Sequence, residues 1–263
     1  MTPRLFVPLL EPEDVIRHLG KGVKHWKAGR SAHALANRWF TANGGIPSIV
    51  GASFKMHPVF SGARLVDGFL ERSVDLPDGA RPTQTDLLAL LRLKHGLAVA
   101  AVEGKVDESF GPLISEWLDK GGSKERLSML CGMLGLKTYA STLRYQLFHR
   151  TVSALIEAER YCAKTALLLV HSFSPQRACF SDFAGFLAAL EMSNAAEPAT
   201  LYGPRPCRIA DSAVDLYAVW IADDCADVSD EDLFWNRLRA YAERLNGEGA
   251  ELIGWANSRT GRT

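Results

Sequence analysis

The chain has 263 residues, of which 47% are apolar and 23% charged, and its 30 basic side chains balance its 30 acidic ones. This composition is typical of a globular domain with a substantial core, and it provides no overall field toward nucleic acid or a membrane surface. Prolines and acids interrupt the apolar N-terminus and no apolar run reaches the ~20 residues of a membrane span, so we expect a cytoplasmic protein without membrane contact.

The first segment of interest is basic. Residues 15–66 hold eight lysines and arginines and no acid, and within them Lys24, Lys27 and Arg30 flank Trp26. Bases interleaved with an aromatic side chain suit the backbone of a nucleic acid, so we expect these three side chains to bind substrate. A solvated loop would have the same composition.

The first predicted helix is Ser31–Thr41, where Ala34, Leu35 and Trp39 recur at helical spacing before the sequence GGIP ends it. The short, β-branched segment PSIVGASF (47–54) predicts a strand. Residues 75–85, rich in Pro, Gly and Asp, predict a loop.

Two apolar runs follow, Leu87–Leu93 and Leu97–Val102, separated by Lys94-His95-Gly96. Such a pair predicts a β-hairpin, and its nearly uniform apolarity predicts strands covered on both faces. A two-residue turn at His95-Gly96 would make the numbers of paired residues sum to 191, with Asp86 opposite Lys105.

The rest of the chain alternates between helical and strand patterns, which predicts an α/β fold with helices on both faces of a mixed sheet. The predicted helices are Pro112–Lys120, Lys124–Leu134, Leu143–Ala163, Ser181–Met192 and Asp230–Leu245, and the predicted strands are 165–173 and Val214–Ile221. Residues 211–251 hold eleven acids and three arginines, which suit a protein partner, attraction to the basic segment or simple solvation.

Three polar residues meet at the open end of the hairpin. Asp86 begins one strand, while Glu103 and Lys105 end the next and, being two apart, share a face. Charges beside such apolar runs need partners or a metal. Two carboxylates suit Mg²⁺ or Mn²⁺, and a neighbouring lysine can orient an attacking water, which together suit phosphodiester hydrolysis. The alternative is a surface ion pair at a strand end, with Asp86 capping a turn.

This arrangement resembles the PD-(D/E)XK nuclease superfamily, which has a restriction-endonuclease-like core of a helix, three antiparallel strands, a helix and a further strand. Thr85-Asp86 stands for the PD element and Glu103-Gly104-Lys105 for (D/E)XK, with 16 residues between the two acids. The resemblance implies a metal held by Asp86 and Glu103, with Lys105 assisting. It also implies that Gln146, on the following helix, supports the site.

Arg150 lies one helical turn after Gln146, so it shares the face of Gln146, and we expect it to bind substrate. The sequence departs from the superfamily in two respects: it has TD in place of PD, and its first helix lacks the acid that many relatives place there. The second departure weakens any proposal of a second metal, although Glu108 offers another carboxylate.

We therefore expect one domain over residues 1–263, with a nuclease-like core at 31–173 and a helix–strand–helix extension at 174–263. The predicted function is metal-dependent hydrolysis of nucleic-acid phosphodiester bonds. The alternative is a catalytically inactive module of the same fold that binds a protein partner or nucleic acid, because fold resemblance alone does not establish activity.

Overall fold

The computed structural model describes residues 8–20, 22–224 and 230–245, and its centre is one six-stranded sheet. The strands are β1 (Arg64–Val74), β2 (Thr83–Leu93), β3 (Gly96–Lys105), β4 (Thr165–Ser172), β5 (Tyr202–Ile209) and β6 (Ser212–Ala222). Their spatial order is β1–β2–β3–β4–β6–β5. Strands β1 to β3 are antiparallel, β3, β4 and β6 are parallel, and β5 returns antiparallel at the far edge.

Helices cover both faces of this sheet. They are α1 (Ser31–Phe40), α2 (Ser48–Lys55), α3 (Ile114–Asp119), α4 (Lys124–Met133), α5 (Tyr145–Arg160), α6 (Phe180–Ala189) and α7 (Glu231–Arg244), preceded by 3₁₀ helices at Pro12–His18 and Gly22–Lys24. None of the helices within the described ranges has the length and apolar character that a membrane span needs. An α/β fold with a mixed sheet between two helical layers is therefore confirmed.

The two layers divide the apolar residues of each strand by alternation. On one face, Leu88 and Val99 pack with Leu155 of α5. On the other, Ala100 packs with Leu35 of α1. The two apolar runs of the hairpin, in β2 and β3, are therefore covered on both faces, as predicted, and β4 is buried in the same way.

The predicted hairpin is present, but its turn is not where we expected it. The pairs begin at Leu87 with Val102 and keep a constant sum of 189, so the turn falls on Lys94 and His95. The expected pairing of Asp86 with Lys105 is therefore wrong. A slip of two residues leaves each side chain on its predicted face, because side chains alternate with a period of two.

The segment predicted as a strand at 47–54 is wrong, because it forms α2. Val50, Ser53 and Phe54 are its buried residues, and their spacing of three and four is helical. Pro47 directly precedes the helix, in the terminal region where a missing N–H costs nothing. Burial of this face on the sheet outweighs the β-branched Ile49 and Val50.

Two strands, β1 and β5, were not predicted from the sequence, and they form the two edges of the sheet. Strand β1 carries charged residues along much of its length, and β5 contains Pro204 and Pro206. An edge strand pairs on one side only, so it tolerates proline and gains protection from charges. Strands β5 and β6, in the predicted C-terminal extension, continue the same sheet as β1 to β4. The loop predicted at 75–85 ends earlier than expected, because residues 83–85 belong to β2.

Helix α7 packs on the N-terminal region through a third apolar cluster, which includes Trp26, Phe234 and Leu238. Ion pairs of both signs join the two ends of the chain. Arg38 of the basic segment binds Asp223 of the acidic region at 3.0 Å, the attraction that was one of the expected alternatives, and Arg237 of α7 binds Glu13 at 3.0 Å. The acids of α7 remain exposed. Residues 225–229 and 246–251 of the acidic region lie outside the described residues.

Candidate functional site

The candidate site lies where β2 begins and β3 ends, against the first turns of α5. The β2–β3 ladder starts at Leu87 and Val102. Next to this pair, a carboxylate oxygen of Asp86 accepts the Gly104 N–H at 3.0 Å. The two strand ends that carry the predicted motif therefore meet.

Glu103 is the centre of the site. Its Oε1 accepts a hydrogen bond from Lys105 Nζ at 2.8 Å and another from Gln146 Nε2 at 2.5 Å, while its Oε2 accepts one from Arg150 Nε at 2.5 Å. The Glu103 side chain is only 2% exposed. A surface ion pair, the simplest alternative for Glu103 and Lys105, is therefore excluded, since both side chains are buried.

Helix α5 supplies two of these partners because residues four apart share a helical face. Gln146 also places its Oε1 3.3 Å from Lys105 Nζ, so the amide contacts both members of the Glu103–Lys105 pair. Gln146, which the superfamily resemblance suggested, thus lies with Glu103 and Lys105.

Arg150, which we expected to bind substrate, contacts both carboxylates of the motif. Besides Glu103, its guanidinium reaches Asp86, with Nη2 3.6 Å from Oδ1, and Nη1 donates to Thr83 Oγ1 at 3.0 Å. Thr83 Oγ1 is also 2.6 Å from His149 Nδ1. Arg150 is therefore buried between the two acids of the motif.

Burial and charge act against each other at this site. Burial tends to raise the pKa of Glu103, but the charges of Arg150 and Lys105 outweigh it and lower that pKa. Burial tends to lower the pKa of Lys105, but Glu103 and Asp86 outweigh it and raise that pKa. Burial and the charge of Glu103 raise the pKa of Asp86 to about 7. At neutral pH, Glu103 is thus ionised and Lys105 protonated, while Asp86 titrates.

A third carboxylate, Glu71 of β1, adjoins the site and was missed by sequence reasoning. Burial and the charge of Asp86 raise the pKa of Glu71 to about 9, and its Oε2 accepts from Gln84 Nε2 at 2.8 Å. Its backbone has φ of +52°, which is rare for a residue other than glycine. No pattern marked it, because β1 is an edge strand without an alternating apolar signal.

The middle residue of the motif, Gly104, faces away from these charges and toward α1. A Cβ placed on Gly104 would lie 3.3 Å from both Leu35 Cβ and the Ser31 carbonyl oxygen. We expect Gly104→Ala to lower the free energy of unfolding by about 1–3 kcal/mol, because it pushes α1 away from β3. Urea denaturation would measure this change.

The matched control is Gly51→Ala in α2, where a Cβ would meet nothing within 4 Å. Alanine there is expected to raise stability by about 0.5–1 kcal/mol, the usual gain in a helix interior. Equal effects of the two substitutions would show that contact with α1 does not constrain Gly104.

The three predicted substrate-binding residues of the N-terminal segment, Lys24, Lys27 and Arg30, are exposed. Arg30 directly precedes α1, whose first carbonyl lies beside Gly104. The segment therefore leads toward the end of β3 that carries the motif, but the Lys24 and Lys27 side chains make no hydrogen bond or ion pair with the described residues.

The donor chemistry of the site suits a hard divalent cation. Asp86 and Glu103 offer carboxylate oxygens, the ligands that Mg²⁺ and Mn²⁺ prefer, and Asp86 is 21% exposed. In residues 8–20, 22–224 and 230–245, however, no three His, Cys, Asp or Glu side chains are grouped as a metal-binding set. A cation fits the Asp86–Glu103 pair only if Arg150 moves out from between the two carboxylates.

Comparison with known proteins gives one match. A family described as a domain of unknown function (DUF6946) matches residues 8–225, which is most of the chain, so the chain belongs to this family. No curated protein and no solved structure matches it. The family description carries no activity, so a function has to be argued from the site.

Proposed function

We propose that this member of the DUF6946 family is a metal-dependent nuclease-like protein of the PD-(D/E)XK type that hydrolyses phosphodiester bonds in nucleic acid. The observation that carries the proposal is the convergence of Glu103, Lys105 and Gln146, with Asp86 beside them. Glu103 and Lys105 belong to one short motif, whereas Gln146 lies on a helix, 41 residues after Lys105.

The order of elements supports a restriction-endonuclease-like core. Helix α1 precedes the antiparallel strands β1, β2 and β3, and helix α5 then leads to β4. This is the succession that the superfamily resemblance implies for residues 31–173. Strands β5 and β6 would then be additions to one edge of the core sheet.

Each residue of the site would have a separate role in hydrolysis. Asp86 and Glu103 would hold Mg²⁺ or Mn²⁺, which supplies Lewis-acid activation of the phosphate and of the attacking water. Lys105, a positively charged donor, would orient that water and offset negative charge as it develops. Gln146 fixes the relative position of Lys105 and Glu103 through its contacts with both.

The test uses single- and double-stranded DNA and RNA in Mg²⁺ or Mn²⁺. We expect wild-type protein to cleave at least one of them and Glu103→Gln to cleave none. The matched control is Glu157→Gln, which alters another buried glutamate of an arginine pair, Arg72–Glu157, away from the motif. No cleavage by folded wild type on any substrate would contradict the proposal.

The exposed basic segment gives a second test. We expect the triple substitution of Lys24, Lys27 and Arg30 by alanine to weaken nucleic-acid binding. The plot of the logarithm of the association constant against log[salt] should also become less steep, by up to about 3 units of slope, one for each lost phosphate contact. Fluorescence anisotropy at several salt concentrations measures this slope. Alanine substitution of the exposed Lys120, Lys124 and Lys137 serves as the control, with an unchanged slope expected.

A second candidate function is a non-catalytic module of the same fold. One observation favours it: Glu103 is buried and both its oxygens are occupied by side-chain donors. Such a module would bind nucleic acid through the basic segment or a protein partner through the exposed acids of α7. Binding without cleavage in the two assays above would select it.

A further inference from the structure

We propose that Arg150 is an internal counter-ion that competes with the divalent cation for Glu103, so that metal binding requires release of Arg150. This inference rests on the proposed function, because it concerns the same two carboxylates. Arg150, which the sequence predicted to bind substrate, would in addition regulate metal binding.

The contacts of Arg150 define the competition. Its Nε lies 2.5 Å from Glu103 Oε2 and its Nη2 lies 3.6 Å from Asp86 Oδ1. One guanidinium therefore joins the two carboxylates that would also have to share a metal ion. Its remaining contact, the hydrogen bond from Nη1 to Thr83, fixes it in this orientation.

Simultaneous occupancy is unfavourable for electrostatic reasons. Mg²⁺ and Mn²⁺ bind carboxylate oxygens at roughly 2.0–2.2 Å, which would put the ion close to a guanidinium nitrogen on the same oxygen. Two cations at that separation repel strongly in a buried site. Arginine does not lose its proton in proteins, so the conflict ends only when the side chain moves.

The other donors to Glu103 do not create the same conflict. Lys105 and Gln146 both bind Oε1, whereas Arg150 occupies Oε2. Release of Arg150 therefore frees one oxygen of Glu103 and the facing oxygen of Asp86 without disturbing the Glu103–Lys105 pair. The released guanidinium is then available to a phosphate, which it can bind through two parallel hydrogen bonds.

Isothermal titration calorimetry of metal-stripped protein with MnCl₂ tests the competition. We expect Arg150→Met to bind Mn²⁺ about tenfold more tightly than wild type, within the usual range for two ligands coupled at one site. The matched control is Arg72→Met, which removes another buried arginine bound to a glutamate of α5. Its Mn²⁺ affinity should equal that of wild type.

A measurement on wild type covers the case in which Arg150→Met does not fold. The Nε–Hε signal of Arg150, assigned by its absence from the Arg150→Lys spectrum, should move to the position of a solvated arginine when Mg²⁺ is added. An unchanged signal at saturating Mg²⁺, or equal Mn²⁺ affinity in wild type and Arg150→Met, would overturn the inference alone. Absence of Mn²⁺ binding by both proteins, with both folded, would overturn the metal-dependent function as well.

Discussion

Replacing Lys105 with methionine is expected to lower the rate of phosphodiester cleavage by about 10²–10⁴-fold, the usual effect of removing a positioned acid–base or charge-stabilising group. Lys105 Nζ lies 2.8 Å from Glu103 and 3.3 Å from Gln146, so its charge is fixed at the site. Methionine keeps most of the length of the side chain and can still pack near the ring of Phe110, whose centroid lies 5.0 Å from Nζ.

Single-turnover rates on the substrate found with wild type measure this effect, because they separate the chemical step from product release. The control is Lys94→Met, which removes an exposed lysine at the opposite end of the same hairpin. A Lys105→Met rate within about threefold of wild type would remove Lys105 from the mechanism, since a positioned group contributes far more.

Replacing Glu103 with alanine is expected to lower the free energy of unfolding by about 3–5 kcal/mol, the usual cost of breaking a buried ion pair from one side. The substitution leaves two buried cations, Lys105 and Arg150, without their shared partner. Asp86, at 3.6 Å from Arg150, offsets only part of this loss.

Urea denaturation followed by tryptophan fluorescence provides the measurement. Glu243→Ala removes an exposed acid of α7 and should stay within about 0.5 kcal/mol of wild type, as surface substitutions usually do. A loss below about 1 kcal/mol for Glu103→Ala would mean that water reaches the site and screens Lys105 and Arg150, as it does at exposed pairs.

The central part of the fold could be predicted because its strands are buried on both faces. Uninterrupted apolar runs marked β3 and β4, and the strict period of two kept Asp86 on the face of Glu103 and Lys105 despite the error in the turn. The edges β1 and β5 lack that signal, since one side of each is open to solvent. Helix α2 was mistaken for a strand because its two β-branched residues masked a helical spacing.

The composition of the site was predictable, but its pairing was not. The superfamily resemblance, and not spacing, suggested that Gln146 lies with Glu103 and Lys105. Spacing along a strand or helix shows which residues share a face. It does not show which partner a long side chain selects, so the binding of Arg150 to Glu103 was not foreseen. The presence of Glu71 at the site was not foreseen either, because its backbone has a positive φ that the local sequence does not specify.

The contacts at the site also set an order for folding. Asp86 meets Gly104 across a hairpin, which is a short loop to close, whereas Arg150 joins Glu103 across 47 residues and Glu157 joins Arg72 across 85. Contacts distant in sequence cost more chain entropy and tend to form later. A nascent chain thus completes the hairpin while Glu103 still lacks its arginine. Until α5 is synthesised and packs on the sheet, the Glu103 carboxylate has to remain in water. The end of the hairpin that carries Glu103 therefore cannot be buried before α5 is in place.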